Sequence, residues 1–157
     1  MASYQETAQL YLEALRDNLE DARWAITLLP RLSIASARTN ERGNPELVFN
    51  FTVSDAESNS FGIMHGGCTA TLIDICTSIA VMALEKETFR TGGVSTNLAV
   101  NYISGAHTGT ALLVKCCVRR VGKSLAFLDC DVVEKESGKL IATATHTKYE
   151  AAVFSKL

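Results

Sequence analysis

Residues 58–87 read SNSFGIMHGGCTATLIDICTSIAVMALEKE. A polar loop runs into His65-Gly66-Gly67, and a mostly apolar stretch to Glu87 follows as a helix. One carboxylate, Asp74, stands in the middle of it. A helix apolar on nearly every face belongs inside a protein. An ionised carboxylate is costly to bury and is seldom buried without a partner or a job. The stretch therefore predicts a central core helix, opened by a His-Gly-Gly turn and carrying Asp74 into the core.

Upstream, Leu12, Leu15, Leu19, Ala22, Ile26 and Leu29 recur at spacings of three and four, an amphipathic helical stripe over residues 4–29 that Pro30 closes. Residues 31–39 and 46–54 read as two strands joined by the turn-rich NERGNP at 40–45. Leu47, Phe49, Phe51 and Val53 alternate with period two. Downstream, strands are predicted near 94–104, 110–121, 124–135 and 139–150. The short connections between them point to antiparallel hairpins. The fold class is α+β, one antiparallel sheet wrapped around one long helix. The division is an N-terminal helical segment (1–30), the main domain (31–150) and a short tail (151–157).

The chain has 157 residues, enough for one domain with a core, and a net charge of −2 that suggests no nucleic-acid partner. Cys68, Cys76, Cys116, Cys117 and Cys130 are odd in number and form no C-x-x-C pair, which fits free thiols in a reducing compartment. Asn50-Phe51-Thr52 matches a glycosylation sequon inside a strand-like run and is read as chance. Asp74 and the hydroxyl residues around it argue against a membrane span. Ser155-Lys156-Leu157 reads as a peroxisomal import address, which predicts a peroxisomal setting and an import receptor as partner, with the cytosol as the setting if the signal is unused.

Several residues suit chemistry. A helix N-terminus presents free N–H groups and the positive dipole end, so His65-Gly66-Gly67 suits an anion or a developing oxyanion; it equally suits a tight turn capped by His65. Asp74 suits a general base or nucleophile, or a carboxylate satisfied by a neighbouring hydroxyl. His65 and Asp74 are nine positions apart, about 13 Å along a helix and half a turn around it. One helix cannot aim both at one atom, so if both act, they come from two subunits. Ser95, Asn97 and Asn101 alternate on one strand face, either lining a water site or facing solvent. Arg119, Arg120 and Lys123 crowd a hairpin end beside Gly122, an arrangement that suits phosphate but is more often a solubilising tip. His65, His107 and His146 have no metal-ligand spacing, so no metal site is expected.

Four runs taken together resemble a known family: HGGCTATLID (65–74), GGVSTNLAVNYISGA (92–106), VGKSLAFLDCDV (121–132) and SGKLIATATHTKY (137–149). They resemble the hotdog-fold thioesterases of the phenylacetate-degradation type, and among these the short eukaryotic acyl-CoA thioesterases. The resemblance implies hydrolysis of an acyl-CoA to a free acid and CoA, with no metal or cofactor, by a homodimer that usually pairs into a tetramer. It implies Asn59, His65, Gly66, Asp74 and Ser95 as catalytic residues. In that reading the Gly66 N–H polarises the thioester carbonyl with Asn59 assisting, and His65 positions the thioester. Asp74 of the neighbouring subunit activates water that Ser95 holds. CoA is implied along Tyr102, Ile103, Ser104, Gly105, Ala106 and His107, and along Arg120, Val121, Gly122, Lys123, Ser124 and Leu125, with Asn97 and Tyr149 nearby. Gly105 departs from the family, which often carries proline there. A hotdog hydratase or dehydratase and a non-catalytic acyl-CoA binding module are the rival readings.

Overall fold

The computed structural model describes residues 3–18, 27–85 and 88–150. Six antiparallel strands form one sheet: β1 (Ser33–Thr39), β2 (Pro45–Thr52), β3 (Val94–Tyr102), β4 (Ala111–Val121), β5 (Leu125–Glu134) and β6 (Leu140–Tyr149). Their spatial order is β1-β2-β4-β5-β6-β3. Helix α1 (Tyr4–Asp17) starts at a Ser3–Glu6 capping box and packs on β1, while α2 (Gly66–Met82) lies across the sheet. The predicted stripe holds at Leu12, which is fully buried; Leu19, Ala22 and Ile26 lie outside the described residues, and Leu29, though buried, sits with Pro30 in a three-residue 3-10 turn and not in α1, which ends at Asp17. The tail, residues 151–157, also lies outside the described residues. Among the described residues no helix is long and apolar enough to cross a membrane.

The period-two reading of β2 is observed: Leu47, Phe49, Phe51 and Val53 are all buried. On α2 the buried residues include Leu72, Ile73, Cys76, Ile79 and Ala80. The helix is not buried all round, because Thr71, Asp74, Ile75 and Ser78 form a half-open stripe along one side. It also ends at Met82, short of the predicted Glu87. Ala83 and Leu84 form a turn, and Glu85 takes a left-handed φ of 49° that stops the helical path.

Two expectations about the strands need correction. First, β3 and β4 do not form a hairpin: β3 crosses to the far edge and pairs with β6, and β4 pairs with β2 and β5. The connecting loop is pinned elsewhere, since Met64 N–H donates to the Ala106 carbonyl at 2.8 Å and Thr108 N–H to the Gly62 carbonyl at 3.0 Å. Second, Ser95, Asn97 and Asn101 do not share a face. A β-bulge between Ser95 and Asn97 inserts Thr96 and breaks the alternation. Ser95 now lies opposite Lys148 and joins Leu98, Val100 and Tyr102 on the helix side of the sheet, while Asn97 and Asn101 lie opposite Thr147 and Thr143 on the outer side.

The entry to β3 depends on Gly93. Its φ is +67°, and a Cβ there would lie 2.6 Å from the Tyr149 carbonyl oxygen and 3.0 Å from the Phe89 ring. Neither a backbone carbonyl nor a buried ring yields cheaply. Gly93→Ala is expected to cost more than about 2 kcal/mol, from the strained φ and the clash together. A urea-unfolding midpoint within error of wild type would contradict this.

Candidate active site

The first half of the site is built on the α2 N-terminus. His65 is its N-cap, extended at φ −65° and ψ 137°, and its Nδ1 accepts the Gly67 N–H at 3.0 Å. The neutral ring then carries its proton on Nε2 as a donor. The Gly66 N–H has no partner among the described residues. Tyr102 packs its ring against Gly66 and donates its hydroxyl to the Gly66 carbonyl at 3.1 Å. A cavity of about 370 Å³ opens here, lined by Met64, Gly66, Thr69, Tyr102, Ser104 and Ala106 among others.

The approach loop is tied down from beneath. Glu57 is buried, accepts from the Ser54 N–H and hydroxyl at 3.1 and 2.7 Å, and ion-pairs with Arg31 at 2.5 Å. Burial alone would raise its carboxyl pKa, but Ser54 and Arg31 outweigh that and hold it below the ordinary value. The Glu57 carbonyl takes the His65 N–H at 2.7 Å, which fixes the start of the helix. Asn59 folds the loop itself: its Oδ1 accepts the N–H groups of Phe61 and Ile63 at 2.9 and 3.2 Å. That oxygen is committed, so the amide nitrogen is the part of Asn59 left to meet a ligand.

The second half centres on Asp74. Contrary to expectation it is not sealed in the core, since its side chain is 45% exposed in the chain. Its Oδ1 accepts from the Ser95 hydroxyl at 3.1 Å and from the Lys148 ammonium at 3.2 Å. His146 Nε2 stands 3.6 Å from the same oxygen and 2.9 Å from Ser95 Oγ. Thr77 Oγ1 meets His146 Nδ1 at 2.7 Å, and Lys148 also donates to Ser78 Oγ at 2.9 Å. No partner meets Oδ2 among the described residues.

Sequence reasoning paired Asp74 with Ser95 through the family resemblance, and missed His146 and Lys148. Both are almost fully buried, at 1% and 2% exposure. A signal was present. Ala142, Ala144, His146 and Lys148 alternate along β6, and a strand that carries His and Lys on its apolar face is carrying them inward.

Burial, and then the Lys148 ammonium, push His146 down to about 4, with Asp74 acting in the opposite sense. The unfolded chain protonates this ring near the ordinary 6.5. Between these values the unfolded state binds more protons, so stability falls as pH drops from about 6.5 toward 4. The expected loss reaches about 3 kcal/mol. Urea midpoints at pH 7.5 and 4.5 check it, and His146→Gln should flatten the difference. A wild-type midpoint unchanged across that interval would contradict it.

The implied CoA residues fall into two groups that one chain keeps apart. Residues 102–107 leave the C-terminal end of β3, beside Gly66. Ala106 is buried, and Tyr102 and Ile103 are exposed. Residues 120–125 turn at the other end, where Leu125 lies opposite Tyr149 and Tyr149 opposite Val94. The two groups are separated by the length of β3, about 27 Å for eight residue steps. Asn97 sits between them on the outer face of the sheet. Arg120 and Lys123 are exposed, whereas Arg119 is engaged with Asp129 at 2.5 Å. Asp74 and Gly66 are likewise apart, eight positions or about 12 Å along α2.

A helix is laid across an antiparallel sheet, with its N-terminus open to a cavity and a carboxylate on its half-open side. The thioesterase superfamily model matches residues 61–141, just over half of the chain, and the chain belongs to that family. Mouse (Mus musculus) acyl-coenzyme A thioesterase 13 is 33% identical over 122 residues, 78% of this chain and 81% of that protein. Zebra fish thioesterase superfamily member 2 superposes with a TM-score of 0.75 at 30% identity, covering 88% of this chain and 94% of that one. A hypothetical thioesterase protein from Streptococcus pneumoniae, solved with coenzyme A, has the same fold at a TM-score of 0.69 and 23% identity, covering 85% of this chain and 96% of that one.

Proposed function

We propose that the protein hydrolyses an acyl-CoA thioester to a carboxylic acid and CoA, at a site shared between two copies of the chain. One observation carries the shared site: the carbonyl-binding half (Gly66, Tyr102) and the water-activating half (Asp74, Ser95) lie at opposite ends of β3. β3 is also the sheet edge, nine residues long, with its outer side and both ends exposed. Such an edge is a template for pairing with another strand. Antiparallel pairing of β3 with its own copy about a two-fold axis sets the N-terminal end of one strand beside the C-terminal end of the other. Asp74 and Ser95 of one copy then face Gly66 and the cavity of its partner. Arg120 and Lys123 of one copy come beside residues 102–107 of the other, which suits the phosphates of CoA.

In this arrangement the Gly66 N–H, at the positive end of α2, donates to the thioester oxygen as negative charge builds on it. The Asn59 amide nitrogen adds a second donor, and His65 faces the leaving sulfur. Asp74 Oδ2 takes a proton from water, whose oxygen attacks the carbonyl carbon. The C–S bond breaks, CoA leaves as thiolate, and the proton on Asp74 passes to the thiolate or to solvent, which restores the carboxylate. Thiolate is a good leaving group, so the site needs no strong acid and no group beyond thioester and water. Pairing of dimers into a tetramer and peroxisomal import through Ser155-Lys156-Leu157 are further parts of the proposal, resting on the family resemblance and on the tripeptide.

Free-thiol release from a panel of short, long and aromatic acyl-CoAs tests the activity. Release that rises with enzyme supports the reading, and the preferred ester names the acyl class. Bound acyl-CoA with no thiol released from any ester would overturn it in favour of a hydratase or a binding module.

A further inference from the structure

Lys148 is the one lysine among the described residues that is nearly fully buried, and the hydrolysis scheme above gives it no role. Burying an ammonium is costly, and burial holds the Lys148 pKa below its ordinary value. All three of its protons are used: it donates to Asp74 Oδ1 at 3.2 Å, Ser78 Oγ at 2.9 Å and Ser95 Oγ at 3.3 Å. The three acceptors sit on two elements, Asp74 and Ser78 one turn apart on α2 and Ser95 on the bulged entry to β3. The ammonium therefore ties the half-open side of α2 to the sheet edge where the site opens.

We propose that Lys148, steadied by His146, is a positioning residue that locks the Asp74 carboxylate with Oδ1 occupied and Oδ2 aimed at the attacking water. This rests on the Asp74 assignment above and extends it. The hydrogen bonds are one-sided, since among the described residues every partner of the Asp74 carboxylate meets Oδ1. Ser95 Oγ lies within hydrogen-bond reach of Asp74 Oδ1, Lys148 Nζ and His146 Nε2 together, so the three groups converge on one hydroxyl. On its other side His146 Nδ1 lies 2.7 Å from Thr77 Oγ1, whose hydroxyl donates to the Ile73 carbonyl at 2.7 Å, so the ring is anchored to α2. The Lys148 tripod, with His146 packed against Ser95, thus fixes the rotation of the carboxylate. Without them Asp74, on an open helix face, is free to rotate and to exchange its two oxygens.

The test compares Lys148→Met and Ser78→Ala, alone and with Asp74→Asn. Lys148 makes no contact that the scheme assigns to CoA, so Lys148→Met is expected to lower kcat roughly 10–100-fold with KM unchanged. In the Asp74→Asn background the same change should lower kcat less than about 2-fold further, because its effect passes through that carboxylate. A purely structural lysine would cost the same in both backgrounds. An unchanged kcat in folded Lys148→Met, or equal losses in both backgrounds, would overturn the proposal. If Lys148→Met fails to fold, Ser78→Ala decides: it removes one leg of the tripod and should lower kcat about 2–5-fold, and a wild-type kcat would overturn the clamp. A wild type inactive on every thioester would sink the activity reading alone. The clamp is then read from urea unfolding, where the Lys148→Met and Asp74→Asn losses should not add and additive losses would overturn it.

Discussion

Asp74→Asn is expected to lower kcat by about 10²–10⁴-fold, the usual contribution of a positioned general base. The amide is nearly the same size, and its oxygen can still accept from Ser95 and Lys148 at the Oδ1 position. What it cannot do is take a proton from water. The substitution removes the counter-charge of a buried ammonium, so some stability goes with it, about 2 kcal/mol. That is short of the total stability of an ordinary domain. The variant should therefore be folded by circular dichroism and should still bind acyl-CoA with KM little changed. A folded Asp74→Asn enzyme with near-normal turnover would remove Asp74 from the chemistry.

Gly66→Pro should be nearly as damaging, for a reason visible only in the structure. Proline is tolerated at the first position of a helix, where the N–H has no partner within the helix. The residue before a proline must be extended, and His65 already is, at ψ 137°. A Cβ at Gly66 meets the Tyr102 ring at 3.4 Å, an ordinary contact. The substitution thus deletes one N–H and leaves the helix standing. If that N–H polarises the thioester carbonyl, kcat falls about 10²–10³-fold. Gly66→Ala keeps the N–H and is the matched control, expected to stay within about 10-fold of wild type. Equal activity in the Pro and Ala variants would mean that the Gly66 N–H is no oxyanion donor.

Much of the fold could be read in the sequence because its signals are local. The alternation of Leu47, Phe49, Phe51 and Val53 marks a strand by period alone, and the glycines and prolines mark where elements stop. What escaped the reading is not local. The Thr96 bulge moves Ser95 to the opposite face from Asn97, and only pairing with β6 reveals that. The crossing of β3 to the sheet edge shows only in its pairing with β6 and in the 58–64 loop holding residues 106–108, contacts far apart in sequence. In the site, His65, Gly66, Asp74 and Ser95 stood out by residue type and position, and Asn59 and the shared role of all five came through motif resemblance. His146 and Lys148 were passed over because a lone histidine and a lone lysine in a strand carry no motif. Their burial is a property of the folded sheet. Asp74 was expected in the core because its neighbours Thr71 to Ile75 are mostly apolar, yet the helix keeps one side open there. The proposed second copy of the chain is what would close that side.

The most direct test of the shared site uses a mixed dimer of Asp74→Asn and Gly66→Pro chains, co-expressed with different tags and purified through both. Each parent dimer lacks one half of the chemistry at both sites and should be nearly inactive. The mixed dimer pairs the intact Gly66 of one chain with the intact Asp74 of the other at one site of its two, so it should recover about half of the wild-type kcat per dimer. A mixed dimer as inactive as its parents would contradict a site built across two chains.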